Sequence, residues 1–146
     1  MTECLGVKGA LFAPDGRIVS IQRTSDTDTF PGLWDVPGGG WDAVKDTTPA
    51  ECFTREVREE LGLELDPRRI TYERLYPSLK HAGKLVCFVA MDITEQEAAA
   101  IELLEEGLQW RFVEIGEYLA CEQAVEPMQQ RLQDYMSHLA HVAVAS

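Results

Sequence analysis

A mixed α/β fold, with a β-sheet sandwiched between helices, is the class the sequence predicts, and three observations carry it. Strand-like and helix-like segments alternate along the 146 residues. The run LVCFVAM, residues 85–91, is nearly all apolar, as expected of a strand buried on both faces. The stretch TPAECFTREVREELGLEL, residues 48–65, combines capping signals with an apolar stripe and reads as a helix. A chain of this length fits one domain, residues 1–146, with a sizeable core.

The elements follow in order. Residues 7–13 and 17–23 are strands joined by the turn Pro14-Asp15-Gly16, which makes them a hairpin. Residues 24–30, TSDTDTF, are polar and form a loop. The segment PGLWDVPGGG, residues 31–40, holds four glycines and two prolines. It predicts a shaped loop around a short strand at residues 33–36, and residues 41–47 continue the loop. The helix after it has Thr48 as N-cap, Pro49 in the first turn, Glu51 closing a T-x-x-E capping box and Gly62 as C-cap. Strands are expected at residues 70–76, 84–93 and 109–113. Residues 94–104 suit a short helix or compact loop, and residues 115–121 and 125–139 suit helices.

Composition narrows the function. Acidic residues number 25 against 13 basic ones, a formal net charge of -12, which disfavours binding to a nucleic acid. A small anion is still admissible if a metal ion or a few placed cations receive it. No apolar run reaches the roughly 18 residues of a membrane span, and no signal peptide is visible at the N-terminus. Cys4, Cys52, Cys87 and Cys121 are widely spaced and read as free thiols, so a cytoplasmic location is expected. Nothing in the sequence indicates the oligomeric state.

The glutamates of the long helix raise the functional question. At roughly 100° per residue, Glu60 lies about 40° to one side of Glu56 and Glu59 about 60° to the other. The three share a stripe that borders the apolar face of Ala50, Phe53, Val57 and Leu61. A solvated, Glu-rich face with an ordinary Arg55–Glu59 pair is one reading. A site for a hard cation is the other, because clustered carboxylates repel one another unless neutralised. The glycine run VPGGGW just upstream lets backbone approach a ligand and adds weight to the second reading.

Together these residues resemble the Nudix hydrolase signature, G-x5-E-x7-R-E-U-x-E-E-x-G-U, where U is a bulky aliphatic residue. Arg55, Glu56, Val57, Glu59, Glu60, Gly62 and Leu63 match every defined position of its second half. The stretch LWDVPGG resembles the strand that enters the signature. The order of hairpin, apolar strand and C-terminal helix extends the resemblance over most of the chain. The first half departs. Counting back from Arg55 puts the early Glu at Thr47, and counting on from Gly39 puts it at Lys45. The most economical alignment inserts two residues in WDAVKDT and replaces the Glu by Thr47, with Asp46 beside it.

The resemblance implies a Nudix-type α/β/α sandwich and a MutT-like pyrophosphohydrolase. It implies Mg²⁺, or Mn²⁺, as cofactor and a small nucleotide as substrate, foremost a nucleoside triphosphate cleaved to monophosphate and pyrophosphate. ADP-ribose, dinucleoside polyphosphates, nucleotide sugars and a non-catalytic nucleotide-binding role stay open. Glu56, Glu59 and Glu60 are the implied metal ligands, joined by the Gly39 carbonyl. Arg55 would orient a carboxylate of the trio. The general base is left between Glu59 and Glu106, and Glu106 is also a candidate metal ligand. The latter lies in EEGLQWRF, residues 105–112, which resembles a metal-facing loop of the family. Arg23, Trp34, Gly38 and Gly39 are the candidate substrate contacts, with Trp34 either core or stacking platform.

Overall fold

Seven strands and four α-helices occur among residues 4–105 and 108–145, the residues described by the structure, a computed structural model. The strands are β1 (Cys4–Phe12), β2 (Ile18–Gln22), β3 (Trp34–Asp35), β4 (Gly38–Gly40), β5 (Tyr72–Pro77), β6 (Leu85–Asp92) and β7 (Gln109–Val113). The helices are α1 (Pro49–Leu61), α2 (Glu95–Ala99), α3 (Ile115–Ala120) and α4 (Glu126–Ala145). The sheet runs β3-β2-β1-β6-β5, with β4 also on β1 and β7 also on β2. The pair β1–β6 is parallel and the rest are antiparallel, so the sheet is mixed as expected.

Alternation along β1 and β6 divides the core between two faces. Val7, Leu11, Cys87, Val89 and Met91 point to one side, where Phe53, Val57 and Leu61 of α1 cover them. Ala10, Phe12, Phe88 and Ala90 point to the other, under Tyr118 of α3 and Met128, Leu132 and Tyr135 of α4. β6 is therefore covered on both faces, which is why its sequence is apolar without alternation.

Two local expectations are corrected. Residues 38–40 form a strand, not part of a loop. Gly6, Val7 and Lys8 of β1 stand opposite Gly40, Gly39 and Gly38, and β1 comes so close that a Cβ on Gly38 would lie 2.0 Å from the Val7 carbonyl oxygen. Only glycine permits that approach, and Gly38 also has φ +128°. The capping box of α1 is half formed. The Thr48 hydroxyl accepts from the Glu51 N–H at 3.1 Å, but the Glu51 carboxylate accepts from the Thr47 hydroxyl at 2.6 Å instead of reaching back to the cap. The complete box is on α2, between Thr94 and Glu97. At the other end of α1, Gly62 is left-handed at φ 70° and its N–H donates to the Arg58 carbonyl, as the C-cap reading required.

Candidate active site

Pairing β4 to the first half of β1, with α1 packed behind, opens a cleft of about 300 Å³. Its walls include Lys8, Asp35, Gly38–Gly40, Glu56 and Glu60, with Arg23, Thr24 and Thr27 on one side and Glu105 on another. Glycine is required at position 39 for a different reason from position 38. A Cβ there would sit 2.5 Å from the Glu56 carboxylate, so the carboxylate occupies the space that a side chain would take.

The three glutamates of the stripe have three environments. Glu60 is the deepest. Burial pushes its carboxyl up to about 7, although Lys8 and the Gly38 N–H, which donates to it at 2.9 Å, pull the other way. Glu56 is half-buried; burial also raises its pKa, with Arg55 opposing. Glu59 is on the rim, with its side chain 44% exposed. Among the described residues no three acidic, histidine or cysteine side chains are drawn together as a finished metal cage. The stripe is partly engaged from within, because one guanidinium nitrogen, Nη1 of Arg55, donates to Glu56 at 3.2 Å and to Glu59 at 3.1 Å.

Arg55 reaches Glu56 and Glu59 through Nη1 alone, and the rest of its fork is engaged elsewhere. Its Nε and Nη2 donate to the two oxygens of Asp46, both at 2.8 Å, and Nη2 also donates to the Gly40 carbonyl at 2.9 Å. Hydrogen bonds from Arg55 hold the buried Asp46 carboxyl down at about 2 against the cost of burial. The same pairing raises the Arg55 pKa further. The two extra residues in WDAVKDT are absorbed by a closed turn. The Asp46 N–H donates to the Asp42 carbonyl at 2.8 Å, and the Asp42 carboxylate accepts from the N–H groups of Val44 and Lys45. Asp46, not Thr47, thus stands behind Arg55. Sequence spacing could not select it, because the insertion hides its register.

Two further residues were missed. Asp35, 4% exposed, gathers cations from β1 and from just past the end of β2: Lys8 Nζ at 3.2 Å and Arg23 Nη1 at 3.0 Å. Lys8 also donates to the Gly38 carbonyl at 3.1 Å, so that carbonyl faces a positive charge inside the cleft. The Gly39 carbonyl belongs to the stretch paired with Val7. Arg23 also donates through Nε and Nη2 to the Thr29 carbonyl and hydroxyl, which fastens the 24–32 loop. Trp34 lies beside the cleft, not in its wall. The guanidinium of Arg111 covers one face of its ring at 4.0 Å. Glu106 lies outside the described residues; its neighbour Glu105 lines the cleft.

The donors that converge are all oxygens: carboxylates of Glu56 and Glu60, with Glu59 at the rim, and the Gly38 carbonyl, which already receives an ammonium. That set fits a hard divalent cation. Among the described residues no helix is long and apolar enough to cross a membrane.

Comparison with known proteins agrees with this fold. Residues 3–139 match the NUDIX domain family model. The CTP pyrophosphohydrolase of Escherichia coli K12 is 36% identical over 62 residues, 42% of this chain and 44% of that protein. The aligned stretches span 32% to 44% of the curated relatives' own lengths. In fold, a MutT protein of Methanosarcina mazei Go1 superposes with a TM-score of 0.72 at 22% identity, covering 94% of this chain and 96% of its own. A bifunctional NMN adenylyltransferase/ADP ribose pyrophosphatase of Francisella tularensis, solved with AMP and a Mn ion, gives 0.73 at 17% identity, covering 94% of this chain and 42% of its own.

Proposed function

Because the chain belongs to the NUDIX domain family, we propose that it hydrolyses the diphosphate linkage of a small nucleotide, foremost a nucleoside triphosphate to monophosphate and pyrophosphate, with a divalent cation held in the carboxylate cleft. The observation that carries this reading is the juxtaposition of Glu56 and Glu60 with the Gly38–Gly40 strand across one open cleft. Glu56, Glu60 and the carbonyl of Gly39 or of its neighbour Gly38 would hold the cation, Mg²⁺ or Mn²⁺, with Glu59 joining from the rim. When bound, such an ion neutralises charge on the phosphoryl oxygens and lowers the pKa of a water.

The chain's own residues supply the rest. Lys8, braced by Asp35, brings a positive charge to the phosphate side of the cleft. Arg55, fixed from behind by Asp46, sets the directions of Glu56 and Glu59. Glu59, exposed and held by Arg55, would turn toward a water and take its proton. Glu106 shares that candidacy from the sequence.

The test is release of pyrophosphate and monophosphate from a nucleotide panel with Mg²⁺, for wild type and for Glu56→Gln, Glu59→Gln and Glu60→Gln. Turnover of at least one nucleoside triphosphate is expected, with losses on the order of a hundredfold or more for the variants. Saturable binding without turnover of any nucleotide would remove the enzyme reading. Turnover indifferent to all three substitutions would remove the site.

A further inference from the structure

Among the described residues two cations line the carboxylate cleft, Lys8 and Arg23. Lys8 is the one that engages the glycine strand. It stands opposite Gly38 in the β1–β4 pair. Its ammonium donates to the Gly38 carbonyl at 3.1 Å and to the Val36 carbonyl at 3.4 Å, with Asp35 Oδ2 at 3.2 Å. An ammonium has three donors, and these are three acceptors. The N–H of the same Gly38 donates to Glu60 at 2.9 Å. One glycine backbone thus stands between the ammonium and the deepest carboxylate of the cleft. The charge of Lys8 acts on Glu60 and also on Glu56.

Asp35 does not depend on Lys8 for a partner. Its Oδ2 also receives Arg23 Nη1 at 3.0 Å, and its Oδ1 accepts the Val36 N–H at 2.7 Å. Asp35 and Arg23 therefore neutralise each other, and the glutamates across Gly38 match the charge of Lys8. The two cations also differ in how they are held. Arg23 is fixed by the Thr29 carbonyl and hydroxyl as well as by Asp35. Lys8 carries its charge on a flexible four-carbon stem, and a quarter of its side chain is exposed. Its departure would leave no buried carboxylate unpaired, which is the costly outcome when an ion pair opens. A divalent cation held by Glu56 and Glu60 would take over the neutralisation that Lys8 provides. At the Gly38 carbonyl the two positive charges would repel each other.

Building on the reading of this cleft as the site of a divalent cation and a nucleotide, we propose that Lys8 is the built-in counter-ion of Glu56 and Glu60 and that it exchanges with the cation. Lys8 holds the Gly38 carbonyl until the cation is bound, is then displaced from it, and receives a phosphate oxygen of the nucleotide. Arg23 keeps Asp35 neutral throughout. Cation and nucleotide are thereby coupled through one side chain, because binding of the first frees the charge that the second meets.

The experiment uses the full chain and has three arms. In the first, Mn²⁺ affinity without nucleotide is read by water-proton relaxation. Lys8→Met should bind Mn²⁺ about tenfold tighter than wild type, because no ammonium competes with the ion. Arg23→Met should bind it about threefold or more weaker, because Asp35 is then left to Lys8 and holds it more firmly. Plain repulsion by nearby positive charge would tighten both variants, and that result overturns the exchange. In the second arm the protein carries ¹³C-lysine, and the Cε–Hε signal of Lys8 is assigned by its loss in Lys8→Met. The signal should move as Mg²⁺ is added and level off as the site fills; indifference to Mg²⁺ overturns the proposal. In the third, calorimetry follows the α,β-methylene analogues of ATP, GTP, CTP and UTP. With saturating Mg²⁺, Lys8→Met should bind the tightest of these about tenfold more weakly than wild type, whereas in EDTA the two proteins should agree within about twofold. A merely structural loss would weaken binding in both conditions and overturns the phosphate role. If Lys8→Met does not fold, Lys8→Gln takes its place under the same outcomes. Failure of wild type to bind Mn²⁺ would remove the cation reading of the cleft and this proposal with it. Mn²⁺ binding with unchanged affinity in Lys8→Met would remove this proposal alone.

Discussion

At the scale of single residues, the site is organised by two buried aspartates that the sequence did not mark. Glu56, Glu59 and Glu60 were legible because helical geometry ties spacing to direction. Asp35 and Asp46 became important only when the fold brought Lys8, Arg23 and Arg55 to them. The Asp46 pairing gives a prediction. Its folded pKa of about 2 lies below the ordinary carboxylate value, so it stabilises the fold fully above about pH 4 and loses that contribution as pH falls toward 2. Asp46→Asn should therefore cost about 2 kcal/mol in urea unfolding at pH 7, with a smaller difference from wild type near pH 3. A constant difference across that range would exclude the linkage. Glu60 has the opposite sign. Its folded pKa is raised to about 7, so stability is lost as pH climbs from about 4.5 through 7 and the carboxyl ionises in a desolvated place. In EDTA, Glu60→Gln should stabilise the protein by about 3 kcal/mol at pH 8 and by less than about 1 kcal/mol at pH 5. The same variant should bind Mn²⁺ poorly. A cost in stability at pH 8 would contradict the assigned burial effect.

At the scale of elements, α1 was legible to within its caps, and β6 from its apolar run, because both signals are local. The strand β4 was not. Three glycines have low strand propensity, and it is the approach of β1 that makes them a strand. Adjacent positions in β4 then answer to different constraints, which can be separated. Gly38→Ala would put a Cβ 2.0 Å from backbone oxygen in a positive-φ residue, and neither backbone can give way cheaply. A loss of about 3 kcal/mol or more in denaturant stability is expected. Gly39→Ala would instead press on the end of a flexible side chain, the Glu56 carboxylate at 2.5 Å. Stability should change by less than about 1 kcal/mol, while Mn²⁺ affinity, read by water-proton relaxation, drops by about tenfold or more. Equal effects of the two substitutions on stability would contradict this division. The loop 42–46 makes a related point: two inserted residues disturb the spacing of the signature without disturbing its anchor, because the turn closes on itself.

At the scale of the whole molecule, the acidic balance sets how a substrate arrives. The formal charge is -12, and the proposed substrate, a nucleoside triphosphate, is itself an anion, so their long-range interaction is repulsive. The local cations do not reverse it. Lys8 and Arg23 are both tied to Asp35, and Arg131 is buried. Capture is thus expected to depend on short-range contacts reached against the field. Salt screens such repulsion, since the Debye length shrinks from about 30 Å at 0.01 M to about 8 Å at 0.15 M. With Mg²⁺ saturating, kcat/KM should rise by about two- to fivefold between 10 and 150 mM KCl, mainly through KM, while kcat stays nearly constant. Electrostatically steered association to a basic site would give the reverse slope. A measured fall in kcat/KM over this range would show that a local positive field, not the net charge, governs the approach of substrate.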